Sequence, residues 1–486
     1  MIKNFKWLLL VAATFIACNN SDEETLVYDT SDGLLPTAGS ANFAKFVSLG
    51  NSLTAGYSDN ALFIDGQKMS YANIMAQQFA TVGGGEFKIP FMADNIGGFK
   101  INGVLFAGSR LASTGGTAPV PVPGTPSTEI TTSIATAGPY NNCGVPGAKS
   151  FHLLSPSYGS LAGISLGTAN PYYARFAPNA TTSVLAYAVS QKPTFFSLWI
   201  GNNDVLGYGT SGGDGTNPIT PSAGVAGVGF DATYDVLVNT LISTGAKGVV
   251  ATIPYVNTVP FFTTVGNTPV PLVEAQVTAL NAAYAGYNGG LVAAKNLGLI
   301  TEAERLQRTI NFVVGNNAPV MVDEYLTDIT AVNPALIKIR QTSSADYILL
   351  SSNGASIQTH LGAGNGTQFP LQDSWVLSKN EVAEVKTATD SYNAKIKSIA
   401  IAKGLAFVDT NALMTQIANG GVSSNGFTVT GAFITGGGFS TDGVHPSPRG
   451  YALIANKFIE AINATYGSNL KGVDLGNYRI LFPNVL

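Results

Sequence analysis

Three short segments of the chain carry side chains whose types and spacing suit chemistry on a bound carbonyl. Gly50-Asn51-Ser52-Leu53 follows the apolar run AKFVSL. Ser52 would therefore stand where a strand turns into a helix, with its hydroxyl at the sheet edge and its own backbone N–H free. Gly201-Asn202-Asn203-Asp204 follows the run FFSLWI, and an Asn amide is a donor that can hold an oxyanion. Asp442-Gly443-Val444-His445-Pro446 places a carboxylate and an imidazole three residues apart in a tight loop, where the acid can fix the tautomer of the ring. A serine hydroxyl attacks an ester at neutral pH only with such a base beside it. Each segment also has a plainer reading. Gly, Ser, Asn and Asp are turn formers, and Ser447-Pro448 makes a sound helix entry whatever His445 does.

Other residues that could carry chemistry are less well placed. The second segment is shaped like the GNH[DE] box of metallophosphoesterases, but Asn203 stands where that box needs histidine. The chain has only His152, His360 and His445, which gives a dinuclear metal site little support. His152 and His360 lie outside the three segments and read as structural or surface residues. Cys143 has no charged neighbour in the sequence and reads as a small buried hydrophobe.

The elements that must position these groups alternate between strand and helix. Buried strands are expected at Phe43–Leu49, Pro139–Cys143, Thr194–Ile200, Gly248–Ile253 and Leu405–Val408. Helices are expected at Met69–Ala80, Ala232–Ser243, Val273–Leu297, Lys379–Lys403 and Arg449–Ala464. Ser378 and Glu381 form a capping box for the fourth of these. This alternation predicts an α/β sandwich with a parallel sheet. Parallel strands end on one rim, so Ser52 and Asn203 can converge there and the last loop can bring His445 over them. Two stretches exceed a minimal unit and read as insertions on one domain: about 83–137, with GGTAPVPVPGTPST, and about 256–375, with further helical and apolar segments that include Ala318–Tyr325 and Tyr347–Ser351; the second could instead be a small subdomain.

Taken together, the motifs resemble those of the SGNH/GDSL hydrolase family. Gly50 to Leu53 with Thr54-Ala55-Gly56 is similar to the first block of that family. Asn142 to Ala148 is similar to the second, with Gly147 matching the oxyanion glycine and Gly144 a second glycine close by. GNND is similar to the third, with Asn203 matching the oxyanion asparagine, and DGVH to the fifth, with Asp442 and His445 completing a triad with Ser52. One departure is Asn51, where the name motif has Asp. The resemblance spans about residues 43–464 and leaves 465–486 as a tail. It implies a three-layer α/β/α sandwich with a flavodoxin-like parallel sheet. It also implies hydrolysis of acyl esters in lipids, acylated glycans or small esters, with no metal or cofactor. The oxyanion would rest on the Ser52 and Gly147 N–H groups and the Asn203 amide. The alternative is a surface protein that binds glycans or a partner through a relict hydrolase fold.

Composition and the N-terminus set the context. Only 11% of residues are charged and the net charge is −4, so no Lys/Arg surplus exists for nucleic acid. Lys3 and Lys6 precede the apolar run Trp7–Ile16, which is about 15 Å long as a helix, half a bilayer core, and so reads as a signal peptide over residues 1–17. Phe15-Ile16-Ala17-Cys18 resembles a bacterial lipobox, which implies lipid attachment at Cys18 and an envelope protein held by that anchor. Asp22-Glu23-Glu24 resembles export signals of surface lipoproteins. The plainer reading is a secretory signal with an incidental Cys. Residues 18–42 are polar and read as a tether.

Overall fold

The computed structural model describes residues 33–115, 118–352 and 355–486. The signal segment, Cys18 and the first part of the tether lie outside the described residues. Five parallel strands make the central sheet: β1 (Phe46–Gly50), β2 (Asn142–Gly144), β3 (Phe195–Trp199), β4 (Lys247–Ala251) and β5 (Ala406–Val408). Each overlaps one of the five apolar runs. Their order is β2-β1-β3-β4-β5. The chain thus winds outward from β1 in one direction and then in the other, and the crevice at that reversal lies beyond the strand C-termini. Register sharpens the point, because Gly50 pairs with Gly144 on one side and Trp199 on the other. The segments that follow these residues therefore leave the sheet side by side.

The main helices are α1 (Ser52–Ala55), α2 (Tyr71–Ala80), α3 (Val184–Ser190), α4 (Asn203–Thr210), α5 (Phe230–Ile242), α6 (Glu274–Asn296), which belongs to the second insertion, α7 (Lys379–Lys403), α8 (Thr410–Ala418) and α9 (Pro448–Tyr466). On one face α2 packs against α9. Phe46 of β1 meets Phe79 of α2 with ring centroids 4.9 Å apart, and Trp199 of β3 meets Phe458 of α9 at 5.8 Å. On the other face α3, α5 and α7 lie side by side, and Phe230 stacks on Tyr392 at 4.1 Å. Helices on both faces of a wholly parallel sheet make a mixed α/β architecture, compatible with an α/β sandwich. The ends of α7 coincide with the sequence reading. Glu381 Oε2 accepts the Ser378 N–H at 2.6 Å, and Gly404 at φ +61° stops the helix.

The insertions are more structured than their sequences suggest. Within residues 256–375, Val270, Tyr287, Leu291, Ile310, Val320 and Ile339 belong to a separate apolar core, while Val259, Phe262 and Leu349 join the main one. Ala318–Tyr325 and Tyr347–Ser351 hold short antiparallel strands, Val320–Val322 against Ile339–Gln341 and Tyr347–Ile348 against Val376–Leu377. Residues 465–486, read as a tail, pack onto the body. Leu470 and Leu475 are buried in the main core, and Phe482 meets Phe63 at 4.9 Å. Among the described residues no helix is long and apolar enough to cross a membrane.

Candidate active site

Ser52, Asp442 and His445, from opposite ends of the sequence, form one hydrogen-bonded line. Ser52 Oγ lies 2.9 Å from His445 Nε2, and His445 Nδ1 lies 2.8 Å from Asp442 Oδ2. With Nδ1–H donating to the carboxylate, Nε2 is left as an acceptor for the Ser52 hydroxyl. β1 ends at Gly50, where a Cβ would fall 2.2 Å from Thr54 Oγ1 and 2.4 Å from the Trp199 carbonyl. Only glycine lets the chain turn there and begin α1 with Ser52 at its first position. Asn51 caps that helix, its Oδ1 accepting the Leu53 N–H at 3.0 Å. Its Nδ2 donates to Asn202 Oδ1 at 3.1 Å, which ties the Ser and Asn segments together.

Asp442 is held as firmly as the imidazole it faces. Its Oδ1 accepts the N–H groups of Val444 and His445, both at 2.8 Å, and the Ser440 hydroxyl at 3.1 Å. Its Oδ2 takes the Asn60 N–H at 2.9 Å as well as His445. Burial pushes this carboxyl upward, but His445 and the converging donors outweigh that and hold it at about 2. The His445 ring lies against Tyr57, with centroids 4.6 Å apart.

Of the three donors expected around an oxyanion, Ser52 and Asn203 line the same cleft as His445, and Gly147 lies in the turn that Asn203 contacts. Asn203 opens α4 and uses one amide hydrogen on the Ala148 carbonyl at 2.9 Å, leaving the other. That carbonyl belongs to the residue after Gly147, so the Asn203 side chain and the Gly147 turn are in contact. Gly147 is exposed with φ +80°, and the Pro146 carbonyl before it accepts from Asn170 Nδ2 at 2.8 Å. Neither the Ser52 nor the Gly147 N–H has a hydrogen-bond partner among the described residues. Gly144 is a different kind of glycine. Its N–H donates to Asn142 Oδ1, and a Cβ there would meet Ala55 N at 2.3 Å, so it serves packing. Preformed donors that lack an internal acceptor beside a serine are what a developing oxyanion requires.

One residue to which the sequence reading gave no role, Asp204, supports this arrangement. Asp204 is fully buried and accepts the N–H and hydroxyl of Ser150 at 2.8 and 2.7 Å, pinning the loop that follows Ala148. Burial raises its carboxyl to about 6 against the pull of those bonds. The acid of a turn motif gives no such sign in sequence, because its partner is 54 positions away. Cys143 is fully buried and its thiol is pushed far up by burial, as a structural cysteine should be. His152 accepts the Lys149 N–H at 3.0 Å and stacks on Tyr158, and His360 stacks on Trp375. Among the described residues no three His, Cys, Asp or Glu side chains are grouped as metal ligands would be. Compared with known proteins, the chain matches no family model and no curated protein.

Proposed function

We propose that the protein is a serine esterase of the SGNH/GDSL type, anchored in the cell envelope through a lipidated Cys18. Ser52 Oγ attacks the acyl carbon while its proton passes to His445 Nε2, and Asp442 steadies the imidazolium. The carbonyl oxygen becomes an oxyanion held by the Ser52 and Gly147 N–H groups and the Asn203 amide. The bond to the alcohol oxygen then breaks, and that oxygen takes the proton from His445. Water repeats the sequence on the acyl-serine: its proton goes to His445, the acyl–Oγ bond breaks, and Ser52 recovers its proton as the acid leaves.

The observation that carries this reading is the continuous line from Ser52 Oγ through His445 to Asp442, built from residues 393 positions apart. The test is a panel of p-nitrophenyl esters on wild type and Ser52→Ala, with a fluorophosphonate probe on both. Wild type should hydrolyse the esters and be labelled at Ser52, and turnover by Ser52→Ala should fall roughly 10⁴–10⁶-fold. Undiminished hydrolysis by Ser52→Ala would refute the assignment. Absence of both hydrolysis and labelling would favour the binding-protein alternative.

A further inference from the structure

A cleft opens beside Ser52 and His445, bounded by segments that follow β3, β4 and β5. Its walls include Trp199, Leu206, Val256, Leu413, Met414 and Ile454, and among the described residues no Lys, Arg, Asp or Glu lines it. Apart from Asn202 and Asn203 at its mouth beside Ser52, the polar side chains it contains are engaged away from the reacting atoms. Trp199 Nε1 donates to the Thr252 carbonyl at 2.9 Å. Thr410 Oγ1 donates to the same carbonyl, and the Tyr255 hydroxyl to Asp390. Asn51 is bonded to Asn202 and to Leu53. A sugar entering this cleft would lose water from its hydroxyls and find few partners in exchange, at a cost for each buried group. A hydrocarbon chain would lose nothing and would cover apolar wall.

We propose, building on the esterase reading, that the cleft holds the acyl chain of the substrate, and that this chain is longer than butyryl. The polar alcohol would then leave on the open side of the rim, where Gly147 is exposed. An acetyl group reaches only the mouth and leaves the walls uncovered. Each methylene that moves from water onto them should raise kcat/KM roughly fourfold until the cleft is full.

The experiment compares two ester series on the wild-type protein. One is p-nitrophenyl acetate through dodecanoate, which lengthens the acyl side. The other is methyl through octyl acetate, which lengthens the alcohol side. The expected result is a steep rise with acyl length and a flat response to alkyl length. Leu206→Trp, at a half-buried wall position on α4, should reduce kcat/KM for decanoate far more than for acetate. As a check independent of turnover, Ser52→Ala should bind decanoate much more tightly than butyrate by calorimetry. Equal kcat/KM from acetate to decanoate, or a rise along the alcohol series, would overturn the acyl cleft while leaving the esterase intact. Absence of hydrolysis of every ester together with no label at Ser52 would remove the esterase reading, and this proposal with it.

Discussion

Asp59 Oδ1 accepts both the N–H and the hydroxyl of Thr441, at 3.1 and 2.8 Å, although the two residues are 382 positions apart. Thr441 stands immediately before Asp442. The Asp59 N–H donates to Ser440 Oγ at 3.0 Å, and Ser440 in turn donates to Asp442. Asp59 and Asn60 both take left-handed backbone, with φ of 52° and 61°, and this directs the Asn60 N–H onto Asp442. Such conformations cost energy in a non-glycine residue and persist where surrounding contacts enforce them. Beneath the turn, Arg110 Nη1 lies 3.6 Å from Asp59 Oδ2, with both side chains 1% exposed. An arginine of the Gly/Pro-rich insertion therefore supports the loop that carries the acid and the base.

Asp59→Ala should destabilise the protein by about 3–5 kcal/mol, because it leaves Arg110 buried without its counter-charge. Asp59→Asn keeps an acceptor for Thr441 and should be milder. Both should lower kcat more than they change KM, since the contact orients Asp442 and touches no substrate. Urea unfolding and steady-state kinetics on the pair check this. An Asp59→Ala protein as stable and active as wild type would show that the grip on Thr441 is idle.

How much of this was legible beforehand depends on the range of each interaction. The ends of α7 could be read because its cap, Ser378 with Glu381, and its stop, Gly404, are local. Ser52, Asn203, Asp442 and His445 were legible because each sits in a compact motif directly after a strand or before a helix. The support of Asp442 by Asp59 and Asn60, and of the Ala148 loop by Asp204, joins residues distant in sequence, and no local pattern marks it. The sequence left open that the second insertion is a small subdomain, but it could not show the separate core, for a related reason. Its strands are two or three residues long, too short for an alternation to register.

Asp442→Asn should lower kcat by about 10⁴, by removing the acceptor that sets the ring tautomer. Its effect on stability should depend on pH in a defined direction. The carboxyl is held at about 2 in the fold and lies near 3.9 when unfolded, so ionised Asp442 stabilises the native state. That contribution is fully present above about pH 4 and is lost as pH falls through about 2. The stability gap between wild type and Asp442→Asn should therefore shrink over that window in acid titrations followed by circular dichroism. A constant gap would mean that the carboxylate gains nothing from its donors.

Asp204 should show the opposite sign. Burial raises its carboxyl to about 6, so the folded protein holds this proton more tightly than the unfolded chain does. The neutral acid favours folding at low pH, and that advantage fades as pH rises from about 4 to 6. The Tm of Asp204→Asn relative to wild type should thus improve over that interval. Because Asp204 also pins Ser150, kcat should fall even at the pH where the variant is as stable as wild type. A Tm difference that is flat with pH would remove the buried-acid assignment.

Asn51 stands where the name motif of the SGNH/GDSL hydrolases, which this chain resembles in sequence, has Asp, and its contacts indicate what that exchange would do. The amide both caps α1 and donates to Asn202 Oδ1 at 3.1 Å. Aspartate could still cap the helix but could not donate. Asn202 could compensate by turning its own amide so that the NH₂ faces the new carboxylate. Asn51→Asp should therefore keep kcat on a butyrate ester within about threefold of wild type. Asn51→Leu removes the cap, worth about 1 kcal/mol, together with the bridge, and should lower both Tm and kcat. The double variant Asn51→Asp/Asn202→Asp sets two carboxylates against each other and should be worse than either single change. If Asn51→Asp proved as damaging as Asn51→Leu, then Asn202 is not free to turn, and the donor from Asn51 is itself what keeps the Ser52 and Asn203 segments in register.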